Sequence, residues 1–375
     1  MTRMEAIAWV LSVRTDLRLS QAKTLAELVA SAMSVARISL AAIGRSLVGP
    51  VAAKHRIKRT WRFVANPRVV ISDGMAGVIW QLVKRYRKLQ RRGRARRPKL
   101  LIAFDWTEIR NFHTLMAAVV QKGRAVPLLW ATYPEWELHK SQNNLEEGLL
   151  HVLRSLIPQD VQVVLLADRG FGRSELARTC RHLSFHYVIR IKPEVWVECP
   201  GFRGKLSHYP VRKGMQRVLT DVEYRRRDPV RQNVVIYWKI GLPKKRDEPW
   251  FLMTDLKRKA EVLTTLYGKR MTVEELFRDD KNKRNGFSLR HTQITKAERL
   301  DRLLLILALA YWLLVGIGLL GRQRYRPARW CSSNRTNECS IFTIGRILVS
   351  EEQVAAAQAF DAVVAAVQEA AAKWG

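Results

Sequence analysis

The stretch "VQVVLLADRGFGRSELARTCRHL", residues 161 to 183, changes character twice. From Val161 to Ala167 it carries no charge and is rich in Val and Leu, which reads as a strand buried on both faces. Asp168 ends the run, Gly170 and Gly172 bracket a turn, and the spacing from Arg173 onward is that of a helix. Upstream, "KLLIAFDWT" (99–107) is another apolar strand, and it runs into Asp105. Between the two lie a β-rich run, "RAVPLLWATYP" (124–134), and a segment with helical spacing of apolar residues, "NNLEEGLLHVLRSLI" (143–157). This order of strands and helices predicts an α/β fold.

The two aspartates are the first candidates for chemistry. A single Asp at a strand end is most often a turn or cap residue. Set against such apolar strands, however, an unpaired carboxylate is costly and needs a partner. Arg169, beside Asp168, is one; divalent metal ions are another, and oxygen ligands of this kind suit magnesium or manganese. A third carboxylate carried on a helix would complete a two-metal site for in-line phosphodiester chemistry.

The window "YGKRMTVEELFRDDKNKRNG", 267 to 286, offers that group twice, as Glu274 and Glu275. "TVEE" fits a capping box, with Thr272 as N-cap and Glu275 reaching back to its amide. Glu275 is then expected to start the helix, leaving Glu274 free. Lys281 follows Glu274 by seven residues, close to two helical turns, so both should project from one face. Tyr267 and Arg270 precede the cap, placed to reach a phosphate near Glu274.

Tyr267, Arg270, Glu274 and Lys281 fit the spacing Y-x2-R-x3-E-x6-K without a gap. This resembles the signature of one group of DDE transposases of bacterial insertion sequences. "FDWTEIR" (104–110) and "LLADRGFG" (165–172) are similar to that group's two aspartate motifs, and "FRDDKNKRNGFSLRH" (277–291) to the stretch after its glutamate. "ERLDRLLLILALAYWLL" (298–314) is similar to the apolar helix that closes its catalytic domain. Met271 departs from the pattern, standing where these proteins more often carry an aromatic residue. The resemblance covers roughly residues 54 to 345.

The resemblance implies an RNase H-like mixed sheet flanked by helices, with an inserted all-β subdomain and an N-terminal helical domain. Asp105, Asp168 and Glu274 would hold two Mg2+ ions, with Mn2+ able to substitute, and Tyr267, Arg270 and Lys281 would grip DNA phosphates. The implied activity is cut-and-paste transposition: nicking at the element end, hairpin formation, reopening and strand transfer. Trp250 best matches the aromatic that supports a displaced base, with Trp238 as the alternative and an ordinary strand aromatic as the plain reading. The implied partners are double-stranded DNA, as terminal inverted repeats and target, and a second copy of the chain that brings two ends together. A metal-dependent nuclease, or a derivative that only cleaves or only binds DNA, shares most of these features.

The remainder of the chain agrees with a DNA-handling protein. Lys and Arg outnumber Asp and Glu 66 to 33, a net charge of +33 that calls for a polyanion at the surface. Residues 1–83 carry helical periodicity and are expected to form a DNA-binding domain, with Lys54, Arg56, Lys58, Arg59 and Arg62 contacting phosphates. Ten of the sixteen residues in "KRYRKLQRRGRARRPK" (84–99) are Lys or Arg, which marks a basic linker at 84–98. The catalytic domain is expected at 99–330, with a β-rich insertion at about 188–256, and a helical tail at 331–375 suited to packing on a neighbour or a second subunit. Cys180, Cys199, Cys331 and Cys339 form no CxxC pair, which points to a reducing compartment and away from structural zinc. The early charges of the N-terminus do not fit a secretory signal. "LLLILALAYWLLVGIGLL" (303–320) is long enough to span a bilayer, but its arginine flanks and lack of a second span favour a buried core helix, and with it a cytoplasmic protein.

Overall fold

The computed structural model describes the chain except for residues 14, 36, 91–96, 140, 242–247, 333–338, 352–353 and 373–375. Its first 90 residues are helical: α1 (Arg3–Ser12), α2 (Leu19–Ser34), α3 (Leu40–Ser46), α4 (Ala53–Ala65) and α5 (Ile71–Gln90). The first seven residues of the expected basic linker thus belong to α5, where Arg85 pairs with Asp361 and Arg87 with Asp160. The rest of that linker, through 96, lies outside the described residues.

A meander follows: β1 (Lys99–Ile109), β2 (Phe112–Gln121) and β3 (Arg124–Pro134), antiparallel throughout. The short α6 (Glu135–Leu138) and α7 (Gln142–Leu156) lead into β4 (Gln162–Ala167), then α8 (Ser174–His182) and β5 (Phe185–Arg190). β4 pairs parallel to β1 and β5 parallel to β4, as helical crossovers require. Both strands read as continuous apolar runs because the sheet is covered on both faces.

The β-rich segment is β6 (Trp196–Cys199), β7 (Phe202–Lys205), β8 (Gln216–Tyr224), β9 (Val230–Tyr237) and β10 (Trp250–Thr254). These strands extend the sheet already begun. β10 docks antiparallel on β5, and among the described residues one ten-stranded mixed sheet results, in the order β3-β2-β1-β4-β5-β10-β9-β8-β6-β7. β5 therefore carries the junction between the two halves of the sheet.

The chain closes with α9 (Ala260–Gly268), α10 (Thr272–Lys281), α11 (Ala297–Arg324), α12 (Ile341–Glu351) and α13 (Ala356–Ala372). α11 is the long apolar segment, and 89% of its most apolar 18-residue window is buried inside the protein. Its two buried aromatic donors are satisfied internally: the Trp312 indole donates to Pro127 O at 2.8 Å, and the Tyr311 hydroxyl to Asp279 Oδ2 at 2.8 Å. α12 crosses it so closely that a Cβ at Gly345 would fall 1.8 Å from the Leu314 carbonyl oxygen, so only glycine permits the contact. The Ala-rich α13 folds back on its own chain, where Phe360 packs against Trp312 and Trp9 with ring centroids 5.3 and 5.4 Å away.

Candidate active site

The parallel register of β1 and β4 pairs Phe104 with Ala167, so Asp105 and Asp168 are the next residues on adjacent strands. Side chains one step along in such a register emerge side by side. Asp105 sits within β1, its Oδ1 accepting from the Trp106 amide at 2.9 Å. Asp168 caps a single 3-10 turn, Arg169–Phe171, with Oδ1 accepting from the Gly170 amide at 2.8 Å. Arg169 is exposed and makes no ion pair with Asp168 among the described residues, so the simplest structural partner for that carboxylate does not serve.

α10 supplies the third carboxylate, but it does not begin as the sequence suggests. Thr272 has helical angles (φ −66°, ψ −22°), and a 3-10 turn at Lys269–Met271 joins α9 to α10 without the chain leaving helical conformation. There is no free helix start for a capping box to serve. The Thr272 hydroxyl donates instead to Lys269 O at 2.8 Å, and Glu275 takes ion pairs from Arg124 at 3.2 Å and Arg278 at 2.9 Å. Glu275 still has a structural task, though a different one, and Glu274 still points elsewhere.

Glu274 and Lys281 line one open cleft of about 480 Å³ together with Asp105, Trp106, Glu108 and Arg290. Arg270, with 9% of its side chain exposed, joins two of these residues, Asp105 and Glu274: Nη1 to Asp105 Oδ2 and Nη2 to Glu274 Oε1, both at 2.8 Å. Burial would lower the Arg270 pKa, but Tyr267, Asp105 and Glu274 outweigh it and raise the value. Asp105 is pushed up to about 7, first by burial and then by Asp168 and Glu274, against the pull of Arg270. Asp105 thus feels burial and two further carboxylates, which together Arg270 offsets only in part. The Lys281 ammonium is lowered by burial and by Arg290, and it lies 5.9 Å over the Phe277 ring.

Tyr267 is 4% exposed, and burial raises its hydroxyl pKa. Its ring meets Trp250 edge-on at 5.1 Å, and Trp250 meets Tyr237 edge-on at 5.8 Å. Trp250 is therefore half-buried among aromatic neighbours. Trp238 lines a separate cavity of about 320 Å³ with Arg169, Arg190, Tyr209 and Phe251.

Trp106, Glu108 and Arg290 at the cleft were not singled out by spacing. The Trp106 indole donates to Glu146 at 2.8 Å, and Glu146 forms a buried ion pair with Arg173, which fixes the ring beside Asp105. The only hint in the sequence was that Trp106 and Glu108 fall inside "FDWTEIR" and Arg290 inside "FSLRH".

Among the described residues no three His, Cys, Asp or Glu side chains are already close enough to hold a metal ion. The donor chemistry nevertheless fits one. Asp105, Asp168 and Glu274 are hard oxygen ligands facing one another electrostatically, and the Arg270 guanidinium stands between two of them as a cation.

No match is found among individually curated proteins. The model of the family described as "Transposase DDE domain" matches residues 96–313, which takes in β1 through most of α11 and every candidate site residue above. That span is more than half of the chain: this protein belongs to the DDE-domain transposase family.

Proposed function

We propose that the protein is a cut-and-paste transposase, which hydrolyses the phosphodiester at an element end, forms and reopens a hairpin, and joins the end to target DNA. One observation supports this reading: Asp105, Glu274 and Lys281 line one cleft, and Asp168 directly follows β4, the parallel neighbour of the strand that carries Asp105. Two Mg2+ ions, or Mn2+, held by Asp105, Asp168 and Glu274 would supply an activated water or 3'-hydroxyl and stabilisation of the leaving oxygen.

The chain's own groups do the rest. Lys281 presents an ammonium to a backbone phosphate entering the cleft. Arg270 offers a planar fork matched to phosphate oxygens once its carboxylates take another cation. Tyr267, expected from the resemblance to grip a phosphate, is 4% exposed and packs instead edge-on against Trp250, so its part is to back that indole. The extruded base stacks on an indole at the β9–β10 end of the sheet. Trp250 matches the position that the resemblance implies, while the cavity beside Trp238 supports that residue as the alternative stacking surface. The substrates are double-stranded DNA at terminal inverted repeats and target, handled in the cytoplasm by a homodimer that joins two ends. The N-terminal helices, through the end of α5 at Gln90, act as the DNA-binding domain, 99–330 as the catalytic domain and 331–375 as its helical tail.

The test is incubation of purified protein with a plasmid carrying its own element ends and Mg2+. Hairpin-ended fragments and joined products are the expected outcome. Cleavage without joining would assign a nuclease, and binding without cleavage a DNA-binding derivative.

A further inference from the structure

The pairing of β1 with β4 stops one residue short of the chemistry. Its last rung is Phe104 with Ala167, so Asp105 and Asp168 both lie beyond the β1–β4 ladder. Asp168 then depends on one 3-10 turn, Arg169–Phe171. A two-metal site holds its ions about 3.5–4 Å apart, and the carboxylates that bind them must keep their geometry to within about 0.5 Å. Something past the last rung has to fix these two strand ends relative to each other.

A buried polar cluster does so, centred on Glu146 of α7, which is 1% exposed. Its Oε1 accepts from the Trp106 indole at 2.8 Å and from the Gln142 side-chain amide at 3.1 Å, and its Oε2 accepts from Arg173 Nη1. Trp106 is the residue after Asp105. Arg173 closes the Asp168 turn: its amide donates to Phe171 O at 2.8 Å, and it stands at the N-cap of α8. One carboxylate therefore spans from the strand that carries Asp105 to the turn that carries Asp168. Arg173 is held to α7 a second time, by Asn143 O at 3.2 Å and Glu147 at 3.4 Å. The same turn is gripped by the β-rich segment, where the Tyr224 hydroxyl and Arg225 donate to Gly172 O at 2.8 and 3.1 Å.

The energetics set this cluster apart from ordinary packing. Desolvating an ion pair costs several kcal/mol per ion, and apolar residues of similar volume often serve stability as well or better. Arg173 Nε is moreover buried without a hydrogen-bond partner, which adds to the cost. What the cluster supplies, and an apolar contact does not, is direction: an indole N–H and a guanidinium meet one carboxylate only over a narrow range of angles.

From this connection we infer that Glu146 is a positioning residue for divalent-metal binding: through Trp106 and Arg173 it sets the spacing of Asp105 and Asp168. The inference rests on the reading of Asp105, Asp168 and Glu274 as metal ligands and adds the group that holds two of them in place. Glu146 itself is enclosed by its donors and is not a ligand. Groups that orient ligands in this way are typically worth about 10–100-fold in metal affinity.

The experiment titrates Mn2+ alone into the full chain and follows the free ion by its electron paramagnetic resonance signal, which needs neither DNA nor turnover. Glu146→Gln is expected to raise the Mn2+ dissociation constant by about 10-fold or more. Trp106→Phe keeps an aromatic ring and the Glu146–Arg173 pair but removes the N–H, and it should weaken Mn2+ binding as well. Glu147→Gln is the control. It removes the same charge from the same helix and the same arginine, leaves the Trp106 bond in place, and should bind Mn2+ as the wild type does. Thermal melts check folding, and Trp106→Phe decides alone should Glu146→Gln unfold.

Wild-type affinity in either folded variant would overturn the inference. So would an equal loss in Glu147→Gln, which would trace the effect to general loosening of α7 against α8. Failure of the wild type to bind Mn2+, or unchanged binding by Asp168→Asn, would instead reject the metal-ligand reading on which the inference stands.

Discussion

α10 carries two sites built from the same parts, an arginine between two carboxylates. On the cleft side, Arg270 joins Asp105 and Glu274 at 2.8 Å each. On the core side, Arg124 joins Glu275 at 3.2 Å and Asp279 at 2.9 Å, and the buried Tyr311 hydroxyl completes Asp279 at 2.8 Å. The second site is closed. Asp279 is raised by burial but held back by Arg124 and Tyr311, both of which donate to its Oδ2. The first is open: 45% of the Glu274 side chain is exposed, and Asp168 adds a further carboxylate with no ion-pair partner of its own among the described residues. Composition does not separate a structural ion pair from a chemical site here. Closure and charge balance do.

Breaking each site should therefore give different symptoms. The largest effect is expected at the open one: Asp168→Asn should remove Mg2+-dependent DNA cleavage while leaving the melting temperature near that of the wild type. Unfolding of that variant would make Asp168 a structural residue and erase the contrast. At the closed site, Arg124→Met should cost about 3–5 kcal/mol in urea unfolding, because it strands the buried Asp279 carboxylate without its cation. A loss below about 1 kcal/mol would mean that the pair is solvated like a surface bridge.

Acid–base behaviour sharpens the comparison. Asp280, fully buried beside the closed site, is pushed up to about 8 by burial and by Asp279. Asp105 and Asp301 are raised to about 7, burial again being the first cause. In the unfolded chain these groups lose their protons near pH 4, so between pH 4 and 8 the folded protein binds more protons than the unfolded one, and stability must fall as pH rises. Asp280→Asn should flatten this fall and stabilise the protein at pH 8 by an amount on the order of a few kcal/mol. A denaturation midpoint with the same pH dependence in both proteins would show that Asp280 ionises freely. A smaller effect belongs to the open site. Mg2+ at about 100 times its dissociation constant should stabilise the wild type by about 2.7 kcal/mol, and Asp168→Asn should lose that thermal shift.

Much of this arrangement is visible in the amino-acid order, for physical reasons. The runs ending at Asp105 and Asp168 are so apolar that only buried strands accommodate them, and a strand ending in a carboxylate advertises itself. The seven-residue step from Glu274 to Lys281 fixes a shared face whatever starts the helix. Its start is not visible in the same way: "TVEE" is a capping box only if Thr272 opens a helix, and here α9 runs on through the 3-10 turn into α10. Local pattern cannot reveal that continuity. Nor can it reveal partners distant in the chain, such as Arg124 for Glu275, Glu27 for Arg59, or Glu146 for the Trp106 indole. The β-rich segment is legible as strands, but its docking on β5 depends on a pairing 62 residues apart in sequence, between Leu252 and Arg190 at one rung, that no short window contains. Likewise, the Ala-rich tail advertises a packing helix without naming its surface, which proves to be the same chain.

The adjacent glutamates allow the most direct test. Glu274→Gln and Glu275→Gln remove the same charge from neighbouring positions on one helix, one facing the cleft and the other Arg124. Cleavage of a labelled duplex bearing the element end, in Mg2+, should disappear with Glu274→Gln, whereas Glu275→Gln should retain it and lose only about 1 kcal/mol of stability. Equal loss of cleavage in both variants, or its survival in Glu274→Gln, would contradict the division of labour on α10.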